Sequence, residues 1–150
     1  MSTPLEDIRN YRPVDQRLAS SGQPDEAQLA VIAAAGYETV INLAPHDDPR
    51  YALADEAGTV AALGLDYIHI PVSFAAPTAA DFARFRTAMD AARARRVWVH
   101  CAANYRVSAF IGLYRVRAEG WSRAAAFALM DSVWQADAVW SQFIAAQLAD

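Results

Sequence analysis

From about residue 18 onward the chain alternates between two hydrophobic rhythms. The runs ETVINLA, LDYIHIPV and RVWVH are short, rich in β-branched and apolar residues, and bounded by turn formers, which predicts buried strands. RLASSGQP predicts a further short strand ending in a turn. Between these runs, apolar positions recur at helical spacing. Helices are predicted over 24–35, 52–63 and 79–94, with Gly36 and Gly64 placed as C-terminal caps of the first two. Thr78 is placed as the N-cap of the third, with Asp81 at its third position. Further helices are predicted from Val107, Ser122 and Asp137. PHDDPR reads as a loop.

Strands alternating with helices predict an α/β fold: a central, mostly parallel sheet flanked by helices on both faces. The 150 residues suit a single domain spanning 1–150. Ligands of such sheets bind beyond the carboxyl ends of the strands. Trp98, Phe110, Trp121, Trp134 and Trp140 are assigned to the core, and His69 to a strand position.

Composition narrows the chemistry. A net charge of −4 without asymmetry between the halves argues against a nucleic-acid or anionic-membrane surface. No apolar run approaches the length of about 18 residues that spans a bilayer. The polar N-terminus carries no signal-peptide core. One cysteine permits no internal disulfide, so a reducing, cytoplasmic setting is expected. No cofactor is called for, and no metal-ligand cluster is predicted.

The single cysteine, Cys101, falls where the strand RVWVH gives way to a helix. Its segment reads VHCAANYRVSA. A helix start offers unpaired N–H groups and partial positive charge; it favours thiolate over thiol and binds phosphate or sulfate. The backbone of Ala102, Ala103, Asn104, Tyr105 and Val107 is expected to ring such an anion. Arg106 can hold two of its oxygens in a planar fork, and the Ser108 hydroxyl can bond the sulfur. The loop lacks glycine, so Asn104 is the position expected to take a left-handed backbone. Cys, Arg and Ser so arranged make a covalent phosphoryl-transfer site without a metal.

VHCAANYRVSA resembles the signature of the cysteine-dependent protein tyrosine and dual-specificity phosphatases. SGQPDEAQLAVIAAAGYETVINL, GLDYIHIPV and APTAADFARF extend the resemblance to a bacterial phosphatase-like family that also occurs fused to β-lactamase-like hydrolases. The resemblance implies a protein-tyrosine-phosphatase-like fold and hydrolysis of a phosphate monoester on a phosphorylated protein or small aryl phosphate. It implies Cys101 as nucleophile, Arg106 as phosphate clamp and Ser108 as stabiliser of the departing thiolate, with His100 orienting the loop.

Two features depart from the family pattern. Arg106 follows Cys101 by five residues rather than six, and Val107 takes the usual arginine position. The segment SFAAPT, where such phosphatases carry an aspartic acid, has no carboxylate. Asp47, Asp48 and Asp81 are the alternative acids. The shorter spacing keeps a rhodanese-type sulfurtransferase open as a rival, and the missing acid keeps open a phosphate-binding module of weak activity.

Overall fold

The computed structural model describes residues 4–47, 50 and 52–149. Five strands form one sheet: β1 (Arg12–Pro13), β2 (Leu18–Ser21), β3 (Thr39–Asn42), β4 (Asp66–His69) and β5 (Val97–His100). Their order is β1-β2-β5-β3-β4. The pairings β2–β5, β5–β3 and β3–β4 are parallel, and β1 lies antiparallel on β2. The mostly parallel sheet is therefore as expected. The edge strand β1 was not foreseen, because its two residues, Arg12 and Pro13, carry no hydrophobic alternation.

Among the described residues the α-helices are α1 (Glu26–Ala34), α2 (Glu56–Ala62), α3 (Ala79–Ala91), α4 (Tyr105–Arg117), α5 (Arg123–Ala126), α6 (Ala128–Val133) and α7 (Ala138–Leu148). Local capping sets their starts. Asp25 closes a capping box with Gln28, so α1 begins two residues later than expected from Pro24. Asp55 accepts from the Gly58 N–H, which starts α2 at Glu56 rather than at Ala52. Thr78 and Asp81 form the predicted box at the head of α3. Gly36 and Gly64 adopt φ of 97° and 79° just past α1 and α2, a conformation open to glycine without steric cost.

The alternation of β5 divides the core. Val97 and Val99 point into the larger cluster, with Phe85, Phe110, Leu113, Trp140 and Phe143 from α3, α4 and α7. Trp98 points the other way, among Leu29, Ile32 and Val60 of α1 and α2. Its ring stacks on Tyr11 at 5.3 Å, and its Nε1 donates to Ser21 Oγ at 2.8 Å. Helix α4 is buried continuously over Val107–Arg115, as befits a helix with partners on every side. Its start is therefore fixed by the core rather than by the surface.

Trp121 departs from the expectation. It is 41% exposed, and its ring lies over the Arg115 guanidinium at 4.1 Å instead of joining the core. Trp134 is only partly buried.

Phe110 sits among Phe82, Phe85, Trp140 and Phe143. Phe110→Ala should lower the unfolding free energy by about 3–5 kcal/mol. Trp121→Ala should cost about 1 kcal/mol or less. Urea unfolding followed by circular dichroism checks both. Equal costs would contradict this division between core and surface.

Candidate active site

Strand β5 lies between β2 and β3, so its carboxyl end opens into the crevice where the chain order reverses. Cys101 follows its last residue. It lines a cavity of about 280 Å³ with Arg50, Phe74, Ala102, Ala103, Tyr105 and Arg106. Cys101 itself has no exposed surface, so the thiol lies at depth. A second cavity of about 330 Å³ shares Phe74, Ala102 and Arg106 with the first, and adds Pro45, Asp47 and Ser73. The two are parts of one cleft. A larger hollow, about 530 Å³ between β4 and α3, touches none of the cysteine loop.

The loop before α4 is held from outside. The Gln23 N–H donates to the Ala102 carbonyl at 3.0 Å, and Asn10 Nδ2 donates to the Ala103 carbonyl at 2.9 Å. In a trans peptide the N–H points opposite to the C=O, and no peptide bond described here is cis. The N–H groups of Ala103 and Asn104 therefore point away from Gln23 and Asn10. Asn104 takes the predicted left-handed backbone, with φ of 71°. Its Nδ2 returns the bond, donating to the Asn10 carbonyl at 2.9 Å and to Ser20 Oγ at 3.0 Å. Helix α4 begins one residue later, so the N–H groups of Tyr105, Arg106 and Val107 have no acceptor within the helix.

The earlier start of α4, at Tyr105 rather than at Val107, gives a place to the displaced arginine. Arg106 is the second helical residue. Its Nη1 donates to the Val72 carbonyl at 2.9 Å, and its guanidinium carbon stands 5.8 Å from the centre of the Phe74 ring. Its Nε is buried without a hydrogen-bond partner, a cationic donor at the cleft wall.

The remaining predicted residues divide by direction. Tyr105 lines the cleft, and its ring stacks on Trp134 at 4.6 Å. Val107 points into the core. Ser108 Oγ donates to the Tyr105 carbonyl at 3.1 Å rather than bonding the sulfur. Asp81 is held by Thr78 and by Arg84 at 2.7 Å, and lines neither part of the cleft. Asp48 lies outside the described residues. Asp47 lines the cleft. Among the described residues, no three His, Cys, Asp or Glu side chains are grouped to hold a metal ion.

Behind the loop is a pair that sequence reasoning missed. Glu56 Oε2 lies 2.6 Å from His100 Nε2, and Gln23 Nε2 donates to Glu56 Oε1 at 2.8 Å. Both members of the pair are buried. Burial pushes the Glu56 carboxyl up, but the hydrogen bond and charge of His100, the Gln23 bond and the charge of His46 outweigh it, and the net direction is down. The stability this carboxylate contributes is complete above its ordinary value of 4.5 and is lost as the pH falls through the lower folded value. Asn10, Gly22 and Gln23 were also missed as parts of the site. Only Gly22 and Gln23, in the turn after β2, carried a sequence signal at all.

The model of the beta-lactamase hydrolase-like protein family, phosphatase-like domain, matches residues 10–118, which span Asn10, the cysteine loop and all of α4. The chain belongs to this family. A beta-lactamase hydrolase-like protein of Xylella fastidiosa is 33% identical over 105 residues, 69% of this chain and 24% of the relative. The chain thus spans about a quarter of the length of the curated relatives it matches. A DUF442 protein from Shewanella putrefaciens has a solved structure that superposes with a TM-score of 0.84 at 33% identity, covering 95% of this chain and 93% of that one. P. aeruginosa TpbA (C132S), solved in complex with pTyr, superposes at 0.64 with 21% identity, covering 87% and 76% of the two chains. The protein-tyrosine-phosphatase-like fold expected from the sequence is the fold of this phosphatase-like domain.

A Cβ added to Gly22 would lie 2.5 Å from the Ala102 carbonyl oxygen and 3.1 Å from Ala103 Cα. Both contacts are backbone, so the loop itself must yield. Gly22→Ala should lower stability by about 1–3 kcal/mol. It should also weaken phosphate or vanadate protection of Cys101 against iodoacetate by more than that stability loss would. Unchanged protection in the folded variant would show that the loop tolerates displacement.

Proposed function

We propose that this domain hydrolyses phosphate monoesters through a cysteinyl-phosphate intermediate, with aryl phosphates and phosphotyrosine on proteins as the preferred substrates. The observation that carries the reading is one cleft holding the single thiol, a helix start and a buried arginine donor together. In the first step Cys101 Sγ attacks phosphorus in line, the S–P bond forms and the P–O ester bond breaks. The leaving phenolate takes its proton from water. Arg106 and the N–H groups of 102–107 hold the equatorial oxygens, where charge accumulates. In the second step water attacks phosphorus, the S–P bond breaks, and inorganic phosphate and the thiolate are released. Ser108, whose hydroxyl donates to the Tyr105 carbonyl before substrate binds, is the residue assigned to stabilise the departing thiolate.

Several features support an aryl leaving group. Phe74 and Tyr105, backed by Trp134, give the cleft an aromatic wall. TpbA, which shares the fold, was solved with phosphotyrosine. A thiol nucleophile works only while reduced, which favours a cytoplasmic setting. No observation beyond the five-residue spacing favours sulfur transfer, and assay of thiosulfate on the same preparation separates the two reactions.

Cys101→Ser should abolish turnover of an aryl phosphate and leave the fold intact. Arg106→Ala should cost about 2–4 kcal/mol in kcat/KM, the loss of one well-placed donor. Arg106→Lys should recover little, because an ammonium cannot make the planar fork. Retained turnover in folded Cys101→Ser would remove the covalent mechanism.

The segment from Ser73 to Thr78 has no carboxylate, so proton donation to the leaving oxygen is weak there. General acid catalysis is worth about 10²–10⁴-fold, and its absence falls hardest on alkoxides. Phosphotyrosine peptides should therefore react at least about 10²-fold faster than phosphoserine peptides. Equal rates would mean that an acid acts. Asp47→Asn then tests the carboxylate in the cleft, by slowing peptides while sparing activated aryl esters.

A further inference from the structure

Glu56 is a buried carboxylate, 1% exposed, that no step above uses. It stands at the first position of α2, behind the sheet from Arg106, and an unpaired charge there would be strongly destabilising. Its bonds lead back to the cysteine loop. One oxygen meets His100 Nε2 at 2.6 Å. The other ring nitrogen, His100 Nδ1, lies 3.3 Å from the carbonyl oxygen of Cys101. Both nitrogens thus face oxygen acceptors. A neutral imidazole carries one N–H and can satisfy one acceptor; the doubly protonated ring satisfies both.

The other ionisable groups felt in this cluster are His46, in the loop after β3, and Tyr67 and His69 of β4. Two of these are histidines that oppose a further positive charge. Glu56 is the carboxylate in direct contact with the ring.

We propose that Glu56 is a positioning residue for the chemistry of Cys101: it holds His100 as an imidazolium whose Nδ1–H bonds the Cys101 carbonyl at the base of the anion loop. The inference rests on the reading of Cys101 as the nucleophile. Its geometric consequence follows from peptide planarity. With the Cys101 carbonyl drawn to His100, the Ala102 N–H points the opposite way. Three consecutive carbonyls, of Cys101, Ala102 and Ala103, are then held by His100, Gln23 and Asn10, and three consecutive N–H groups are turned from those anchors. Gln23 joins the two layers, because its backbone N–H holds Ala102 and its side chain holds Glu56. The electrostatic consequence is a positive charge one peptide away from the thiolate, balanced on the side remote from it.

Two measurements on the full chain test the role. In ¹⁵N-histidine-labelled wild type at pH 7.5, the His100 ring should show both nitrogens protonated, and in Glu56→Gln only one. The rate of Cys101 alkylation by iodoacetate at pH 6, divided by the rate at pH 9, should fall about tenfold in Glu56→Gln. The ratio cancels any change in access to the thiol, and Glu56→Asp should recover part of it. A single protonated ring nitrogen in the wild type would overturn the proposal. So would an unchanged ratio in folded Glu56→Gln. If that variant does not fold, the wild-type ring decides alone. If the ring and the ratio behave as expected while the wild type turns over no phosphate ester, the phosphatase reading fails and the role of Glu56 in tuning the thiol stands.

Discussion

The cleft depends on the outward anchoring of the loop carbonyls between β5 and α4. A carbonyl oxygen turned toward an anion repels it, whereas the N–H at the far end of the same peptide attracts it. The loop has no glycine, so its backbone cannot find the required curvature cheaply. It is held from the other side instead, by Gln23 on Ala102 and by Asn10 on Ala103. Asn10 and Asn104 both have positive φ, 50° and 71°, and each donates its side-chain amide across to the other's segment. The close approach this requires leaves no room for a side chain at position 22.

The two-sided core gives that loop a rigid base. β5 lies between β2 and β3 and is buried along its whole length. α4 packs on one face, while α1 and α2 cover the other. The loop therefore joins two elements that cannot shift independently. Arg106 stands in the first turn of α4, lines the cleft and donates from Nη1 to the Val72 carbonyl.

The His100–Glu56 pair illustrates a different use of burial. Removing two charges from water costs several kcal/mol per ion before their attraction repays it, so such pairs rarely raise stability over an apolar alternative. What this pair provides is direction. Fully buried and bonded to Gln23, it has one arrangement, and that arrangement ends at the Cys101 carbonyl.

Much of this was legible in the sequence, because it rests on local rules. The runs ETVINLA, LDYIHIPV and RVWVH are short, β-branched and bounded by turn formers, which marks them as buried strands. Thr78 with Asp81, and Gly36 and Gly64, act on backbone groups within one turn. Cys101 at a strand–helix junction with an arginine nearby marked the candidate cleft, and Asn104 was the residue there that best tolerates positive φ. Tertiary structure decided the rest. Glu56 reads in sequence as an ordinary acidic residue inside a predicted helix, and only the packing of α2 against the sheet brings it to His100, 44 residues away. Asn10 reads as part of a polar N-terminus; Asp81, already expected at the head of α3, is held in its cap, and Asp47, an alternative acid in a loop, lines the cleft. Trp121 and Trp134 look like core, because hydrophobicity reports a preference for burial and not which surface provides it. Local sequence encodes what a residue can do within a few bonds; contacts between distant segments depend on how the elements pack, and that is settled by the whole core at once.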